Sequence, residues 1–433
     1  MDADRLVTSN PQYARGYILR ADMYSQLGDI ERARADYDRG IALDPDNAEN
    51  LAYRGAFRWS QHDMDGALAD YAESLRLSPD QPMLLLARAQ IFEMHDDLPR
   101  AEADVDAAIR LKSSTTALLL RARIRLSRDN RVGAIADYTS VLEADQNRSD
   151  VLVARGKVYR LQEDWTRAVA DFDEAIRLSP TLAEAFRERA IVHEKRNDRP
   201  GAIADYTIAI QLEPENSGTF LSRGANYEAQ RDWPRAIADY SEAMRLSPRN
   251  ANTVMYRANA YRASGDATRA IADYTAALAI NPRHHFALNG RGLAYDTTGQ
   301  LELAMADFDQ AAAIAPETWN FQTNRCYARA RLRADLVAAR SACEAAYRLA
   351  PQQAVVANSL GVLELQEGRN EEAWAHLDIG VKADATRANR LYGRGIAALR
   401  LGRTAEGEAD IAAALQLDPK IAETFAGWGI QRP

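Results

Sequence analysis

The chain holds two cysteines, Cys326 and Cys343, whose spacing allows a small set of chemistries. They can join in a disulfide, or they can stay reduced and act as small core residues. A metal site is disfavoured, because no other cysteine or nearby histidine completes a ligand set. A disulfide would indicate an oxidising compartment, hence a periplasmic or secreted protein of a bacterium, whereas reduced thiols favour the cytoplasm. The sequence leaves the localisation open.

The remaining residues that could do chemistry match no enzyme signature. The six histidines are scattered; His193 is expected to pack in a core, and the adjacent His284 and His285 are expected to be solvated. The chain has no Walker loop, no dinucleotide-binding glycine fingerprint after a strand, no HExxH and no GxSxG elbow. The sequence therefore predicts a protein that is not an enzyme and that uses no metal and no cofactor.

Composition narrows the class of partner. The net charge of −8 argues against a general binder of nucleic acid or of anionic membranes, since phosphate recognition needs a basic surface. No apolar run approaches the roughly 18 residues of a membrane-spanning helix, and the first residues show no signal peptide. Arginine greatly outnumbers lysine, which is typical of a GC-rich bacterial genome. We therefore expect neither a nucleic-acid partner nor membrane insertion.

One short motif recurs along the chain. Residues 167–180 read RAVADFDEAIRLSP, residues 201–214 read GAIADYTIAIQLEP, and residues 235–248 read RAIADYSEAMRLSP. Each copy follows a second helical pattern. Matching alanines recur every 34 residues, at Ala168, Ala202, Ala236, Ala270 and Ala304. A fixed period of this length indicates a solenoid in which neighbouring repeats share one core.

This pattern resembles the tetratricopeptide repeat family over nearly the whole chain. In the family's frame, twelve repeats span residues 14–421 and begin at residues 14, 48, 82, 115, 149, 183, 217, 251, 285, 320, 354 and 388. Small residues at the eighth and twentieth positions, an aromatic at the twenty-fourth and a closing proline carry the match. The resemblance implies an all-α, right-handed superhelical solenoid of antiparallel helix pairs, with about 24 helices.

Both ends hold part of a repeat. Residues 1–13 read as the remnant of a second helix, and residues 422–433 read as most of a first helix that carries Phe425 and Trp428. Either the chain is a piece of a longer protein, or the last helix caps the stack with its apolar side inward. The sequence keeps both interpretations open.

Arginine and aspartate vary together between the repeats. The seventh position is Arg and the twenty-third is Asp in ten of the twelve repeats, and both are absent from the repeats that begin at 320 and 354. Joint loss is expected for residues in contact, because breaking a buried ion pair costs about 3–5 kcal/mol whereas replacing both partners can be neutral. The pattern predicts structural ion pairs, among them Arg155–Asp171, Arg223–Asp239 and Arg257–Asp273. Contact with a neighbouring repeat and an arginine ladder for an anionic ligand are the alternatives.

The two cysteines replace one of these pairs. Cys326 occupies the arginine position of its repeat, and Cys343 follows the aspartate position by one. The two side chains should therefore face each other across a helix pair, which favours a disulfide between them.

The resemblance also implies a concave groove lined by the first helix of each repeat, with the second, fifth, ninth and twelfth positions exposed. We expect partner contacts from Asn252, Asn259, Arg262, Phe286, Asn289, Asp296, Phe321, Asn324, Asn358, Asn389 and Tyr392. Asn289, Asn324 and Asn358 share the fifth position of consecutive repeats. A row of amides can pair with the backbone of an extended peptide.

These patterns favour a non-enzymatic scaffold that binds a partner protein or an extended peptide in the groove. One alternative is a regulatory or substrate-recognition region of a larger multidomain bacterial protein, which could itself be an enzyme. Another is a solenoid that self-assembles through its unfinished ends. The sequence leaves the oligomeric state and the identity of the partner undefined.

Overall fold

The computed structural model describes residues 3–333 and 335–433, and these residues are mostly helical. They contain 26 α-helices and no β-strand, which confirms the predicted all-α fold class. Residues 1 and 2 of the predicted remnant 1–13 lie outside the described residues.

The chain divides into two compact units, and the border between Asp205 and Tyr206 falls inside a helix. The N-terminal unit contains α1 (Ala3–Ser9), α2 (Ala14–Gln26), α3 (Ile30–Leu43), α4 (Ala48–Ser60), α5 (Met64–Leu77), α6 (Pro82–Met94), α7 (Leu98–Leu111), α8 (Thr115–Ser127), α9 (Arg131–Ala144), α10 (Ser149–Leu161), α11 (Trp165–Leu178), α12 (Ala183–Lys195) and the first part of α13 (Arg199–Leu212).

The C-terminal unit contains the rest of α13 and the helices α14 (Ser217–Ala229), α15 (Trp233–Leu246), α16 (Ala251–Ala263), α17 (Ala267–Ile280), α18 (His285–Thr297), α19 (Leu301–Ile314), α20 (Trp319–Leu332), α21 (Leu336–Leu349), α22 (Ala354–Gln366), α23 (Asn370–Ala383), α24 (Ala388–Arg400), α25 (Thr404–Leu417) and α26 (Ile421–Gly427). From α2 to α25, each even-numbered helix is the first helix of a repeat and the next odd-numbered helix is the second.

Aspartates set where many of the second helices begin. The side chain of Asp164 accepts a hydrogen bond from a backbone N–H in the first turn of α11, and Asp232 and Asp266 do the same for α15 and α17. Such an N-cap satisfies an otherwise unpaired backbone donor and contributes about 1 kcal/mol. Before the last of these caps, Gly265 turns the chain with φ 91°, a conformation that glycine adopts without a steric penalty.

Buried aromatic rings fill the spaces between helices. A Cβ atom at Gly224 would lie 2.7 Å from the ring of Tyr240 in the same repeat, so only a small residue fits there. A Cβ atom at Gly290 would lie 2.5 Å from the ring of Tyr274 in the preceding repeat. The rings therefore pack between the two helices of a repeat and also against the next repeat, so that one apolar cluster takes residues from consecutive repeats.

Candidate interaction surface

The arginine–aspartate pairs join the two helices of their own repeats. In all ten repeats that carry both residues, the guanidinium donates to both carboxylate oxygens, as in Arg155–Asp171, Arg223–Asp239 and Arg257–Asp273. The Nε–Oδ2 and Nη2–Oδ1 distances between Arg257 and Asp273 are 2.7 and 2.9 Å. These hydrogen bonds raise the pKa of Arg257, because they stabilise its charged form. The pairing commits these donors to the helix pair.

Most of these arginines also reach the preceding repeat. The Nη1 atom of Arg155 donates to Oγ1 of Thr139 on α9 over 3.0 Å. The Nη1 atom of Arg257 donates to Oγ of Ser241 on α15, also over 3.0 Å. One guanidinium therefore holds three helices, two of its own repeat and one of the repeat before it.

The repeat that begins at 320 replaces this arrangement with other contacts. The sulfur atoms of Cys326 and Cys343 are bonded, and their Cα atoms lie 4.9 Å apart. Both side chains are buried. Arg325 and Arg329, on the same helix as Cys326, both donate to Asp309 on the second helix of the preceding repeat. A covalent bond thus stands where the cross-helix ion pair would be, while the ionic joint to the preceding repeat is kept.

A different polar pair ties the helices of the repeat that begins at 354. The Nδ1 atom of His376, at the aspartate position, lies 2.7 Å from Oε2 of Glu364 on the first helix. Glu364 is buried, and Leu360 fills the arginine position. The repeat pattern did not predict this pair, because Glu364 stands at the eleventh position, which is a tyrosine in several other repeats.

Amides from two neighbouring repeats meet on the face formed by the first helices. The Nδ2 atom of Asn324 donates to Oδ1 of Asn289 over 2.7 Å. The Nδ2 atom of Asn289 and the Oδ1 atom of Asn324 make no hydrogen bond to the described residues. Phe286 stands one helical turn before Asn289 with 54% of its surface exposed, and its ring packs edge-on against Phe321. The structure therefore brings four of the predicted residues together: Phe286, Asn289, Phe321 and Asn324.

A cavity of about 320 Å³ adjoins this group between α16 and α18. Its lining includes Tyr256, Asn259, Arg262, Phe286 and Asn289. Asn259 accepts a hydrogen bond from the hydroxyl group of Tyr274, and Nε of Arg262 lies 3.4 Å from the same hydroxyl. Tyr256, which the predicted set omitted, is 41% exposed and adds a second accessible aromatic ring.

The side chain of Asn252, although exposed, is engaged with His284. Its Oδ1 atom lies 2.9 Å from Nε2 of His284, whose Nδ1 atom accepts a hydrogen bond from the backbone N–H of Ala287. His284 is 7% exposed, so its expected solvation is wrong; the ring caps α18 instead. Burial, and then the neighbouring His285, lower the pKa of His284.

Three predicted groove residues are not exposed. Phe321 is fully buried against Phe286, and Tyr392 is buried with its ring centroid 4.9 Å from that of Phe425. Asn358 is also buried, and its Oδ1 atom has no hydrogen-bond partner among the described residues. Their expected exposure is wrong, because neighbouring repeats and the chain after residue 420 pack over the first helices at these positions.

Asp296 and Asn389 complete the predicted set. Asp296 forms an ion pair with Arg331 of the following repeat, which neutralises its charge within the stack. Asn389 lies in the first turn of α24 and is half-buried. Neither side chain is as open to a partner as Phe286.

The predicted set left out the residues that make the first-helix face of the last two repeats apolar. Val362 and Leu365 occupy the ninth and twelfth positions of their repeat, and Ile396 occupies the ninth position of the next; all three are buried. The sequence carried a signal, since the corresponding positions of the repeat that begins at 149 are Lys157 and Arg160. An apolar face at these positions indicates that another part of the same polypeptide covers it.

Within residues 3–333 and 335–433, no three His, Cys, Asp or Glu side chains are grouped closely enough to hold a metal ion. None of the helices in the described part of the chain combines the length and the apolar character needed to cross a membrane.

Solved repeat proteins are similar to this chain at low identity. A tetratricopeptide repeat protein from Parabacteroides merdae is 20% identical over 57% of this chain and 98% of its own, with a TM-score of 0.44. The APC/C hetero-tetramer Cut9–Hcn1 is 13% identical over 99% of this chain and 91% of its own, with a TM-score of 0.46. YrrB, described as a TPR protein with an unusual peptide-binding site, is 19% identical over 41% of this chain and 92% of its own, with a TM-score of 0.38. No curated protein matches the chain.

Models of the tetratricopeptide repeat match the sequence directly. One model matches residues 58–115, 119–183, 187–251 and 255–317, and a second matches residues 14–47. The first model alone accounts for more than half of the chain. The chain therefore belongs to the tetratricopeptide repeat family.

Proposed function

We propose that the chain is a non-enzymatic scaffold that binds a partner protein, through an extended segment of that partner, on the first-helix face of its C-terminal unit. The binding region is the amide surface, which we define as Tyr256, Asn259, Phe286, Asn289 and Asn324. The observation that carries the proposal is the Asn324–Asn289 hydrogen bond, which spans two repeats on this face.

The amide pair suits a peptide backbone. Its internal hydrogen bond uses one donor of Asn324 and one acceptor site of Asn289. The unused Nδ2 group of Asn289 can donate and the unused Oδ1 atom of Asn324 can accept, and a single peptide unit needs one donor and one acceptor. Recognition of this kind depends on the main chain of the partner rather than on its sequence.

Exposed aromatic rings beside the amides supply apolar contact. Phe286 is 54% exposed and Tyr256 is 41% exposed, and both line the cavity next to Asn289. Aromatic residues at the centre of an interface commonly carry much of the binding free energy. The surface therefore combines apolar anchors with backbone recognition.

The test is an affinity measurement on a partner captured from the native host and identified by mass spectrometry. Removing both amides with Asn289→Ala and Asn324→Ala should weaken binding about tenfold, since two hydrogen bonds contribute about 0.5–1.5 kcal/mol each. Phe286→Ala should weaken binding by a similar factor, because it removes an aromatic anchor. Gln146→Ala, an exposed amide of the N-terminal unit, is the matched control and should leave Kd unchanged. An unchanged Kd in the double asparagine variant would contradict the proposal that the amide surface binds the partner.

We also propose that the protein works in an oxidising compartment, periplasmic or extracellular, where the bond between Cys326 and Cys343 persists. The proposal is supported by the proximity of the two cysteines, whose Cα atoms lie 4.9 Å apart. Titration of thiols in unreduced, denatured protein from the native host should find none. Two titratable thiols would place the protein in a reducing compartment instead.

A further inference from the structure

Residues 421–433, which we call the covering segment, lie over the first helices of the last three repeats. The segment begins with the short helix α26 and continues as irregular chain. It contacts Tyr327 of α20, Gln366 of α22 and Tyr392 of α24. A single short segment therefore touches three consecutive repeats.

Two aromatic side chains, three residues apart, anchor the covering segment. Phe425 is fully buried, and its ring centroid lies 4.9 Å from that of Tyr392 and 4.9 Å from that of Trp428. Trp428 stands edge-on to Tyr327 with the centroids 6.2 Å apart. Ile430 is also buried and joins the apolar cluster that α22 and α24 form. The anchors thus fill the apolar face that the repeats present here.

Polar side chains of the repeats hold the main chain of the covering segment. Nε2 of Gln366 donates to the carbonyl oxygen of Trp428 over 2.8 Å, and Nη2 of Arg400 donates to that of Gln431 over 3.0 Å. Arg400 also donates to the carbonyl oxygen of Leu365, and no carboxylate of the described residues pairs with it. Burial lowers the pKa of Arg400, in keeping with a cation that has only carbonyl partners. Hydrogen bonds to main-chain carbonyl groups are a general means of binding a peptide.

We propose that the first-helix face of α20, α22 and α24 is a peptide-binding surface that the chain fills with its own residues 421–433, and that a partner segment of the same chemistry displaces them. Such a partner presents two aromatic side chains three residues apart, followed by chain whose carbonyl groups are accessible. This surface adjoins the amide surface on α20 but uses none of its residues, since Tyr327 and not Asn324 contacts the covering segment. The inference therefore goes beyond the proposed function, and either can fail while the other holds.

The covalent connection of the covering segment to α25 determines how strongly it competes with a separate peptide for the surface. A segment joined by a short connection acts at an effective concentration on the order of 1 mM. A separate peptide with a Kd of about 10 μM for the empty surface would therefore bind the intact chain about 100-fold more weakly.

The experiment uses a fluorescent peptide with the sequence of residues 421–433, IAETFAGWGIQRP. Its affinity is measured by anisotropy for the intact chain and for the variant Phe425→Ser/Trp428→Ser, which keeps the surface but weakens its own segment. The variant should bind the peptide at least tenfold more tightly than the intact chain. Leu417→Ser, which changes a half-exposed residue of α25, is the control and should bind as the intact chain does. A peptide with serine at both aromatic positions should bind neither protein.

Equal affinities of the intact chain and the double variant would overturn the proposal. Hydrogen exchange on the intact chain decides the matter if the double variant does not fold. Amides of residues 425–430 should then exchange faster than those of α22 and α24, because an intramolecular ligand opens without unfolding the repeats. If the amides of residues 425–430, α22 and α24 all exchange at one common rate, the covering segment is part of the cooperative fold and the proposal is wrong.

Discussion

The ion pair between Arg257 and Asp273 offers a sharp test of how the repeats are held together. The two side chains are 17% and 12% exposed, and two hydrogen bonds of 2.7 and 2.9 Å join them. Arg257→Leu leaves the Asp273 carboxylate buried without its partner. It also removes the hydrogen bond to Ser241 in the preceding repeat.

The expected cost follows from this burial. Breaking a fully buried ion pair costs about 3–5 kcal/mol. Because Arg257 keeps some exposure, water can partly solvate the remaining carboxylate, and we expect the lower end of that range, about 3 kcal/mol. The double variant Arg257→Leu/Asp273→Ala leaves no uncompensated charge and should cost only about 1 kcal/mol. The chain contains a natural counterpart, since Leu360 occupies the arginine position of a repeat that also lacks the aspartate.

Hydrogen exchange of amides in α16 and α17 is the suitable assay, because long repeat arrays do not unfold in a single step and exchange reports local opening free energies. Arg245→Ala is the matched control. Arg245 pairs with Glu242 one turn away on α15, the two side chains are 59% and 37% exposed, and the local free energy should stay unchanged. A double variant that costs as much as the two single variants together would refute the reasoning, since additivity means that the two residues do not interact.

Three further predictions concern stability. Reduction of the Cys326–Cys343 bond should destabilise its repeat by about 3 kcal/mol, because the bond closes a loop with a sequence separation of 17. Dithiothreitol should therefore lower the opening free energy that hydrogen exchange reports for α20 and α21 to that of Cys326→Ala/Cys343→Ala, and equal exchange in both redox forms would contradict this. Folding lowers the pKa of His284, so its ring takes up a proton more readily in the unfolded chain. The free energy of unfolding should therefore fall as pH decreases from the unfolded pKa of about 6.5 toward the lower folded pKa. The opening free energy of α18, measured by hydrogen exchange, should depend less on pH in His284→Gln, and an unaltered profile would assign the effect to another group. Gly290→Ala, whose Cβ atom would lie 2.5 Å from a buried ring, should cost about 1–3 kcal/mol of local stability. Gly427→Ala, with no atom within 4 Å, should be neutral or slightly stabilising. Hydrogen exchange in α18 that is unchanged by Gly290→Ala would show that the ring can move.

Periodic features were the most accessible from sequence. The joint presence of arginine at the seventh and aspartate at the twenty-third position pointed to contact, and Arg155 and Asp171 lie in such contact in the structure. The second role of these arginines, toward residues such as Thr139 in the preceding repeat, was not evident. The position that receives this hydrogen bond carries aspartate, threonine or serine in most repeats and alanine at Ala72, and a position that varies in this way gives a weak signal.

The candidate surface was predicted less completely. Asn289 and Asn324 meet on the first-helix face, but the row of amides ends before Asn358, which is buried. Tyr392 was expected to face a partner, yet Phe425 covers it. In both cases the residue type and the repeat position were suited to an exposed side chain. The side chain is buried because other segments of the same polypeptide pack against it.

The sequence alone determined the helix pairs, the small and aromatic residues between them, and the coupling of arginine with aspartate. These features are local, because the residues that make them lie within one repeat and recur with a period of about 34 residues. The tertiary structure alone decided which first-helix residues stay open and which are covered. Exposure depends on how neighbouring repeats stack and on where residues 421–433 pack, and these contacts join residues too far apart in the chain for a repeat pattern to encode.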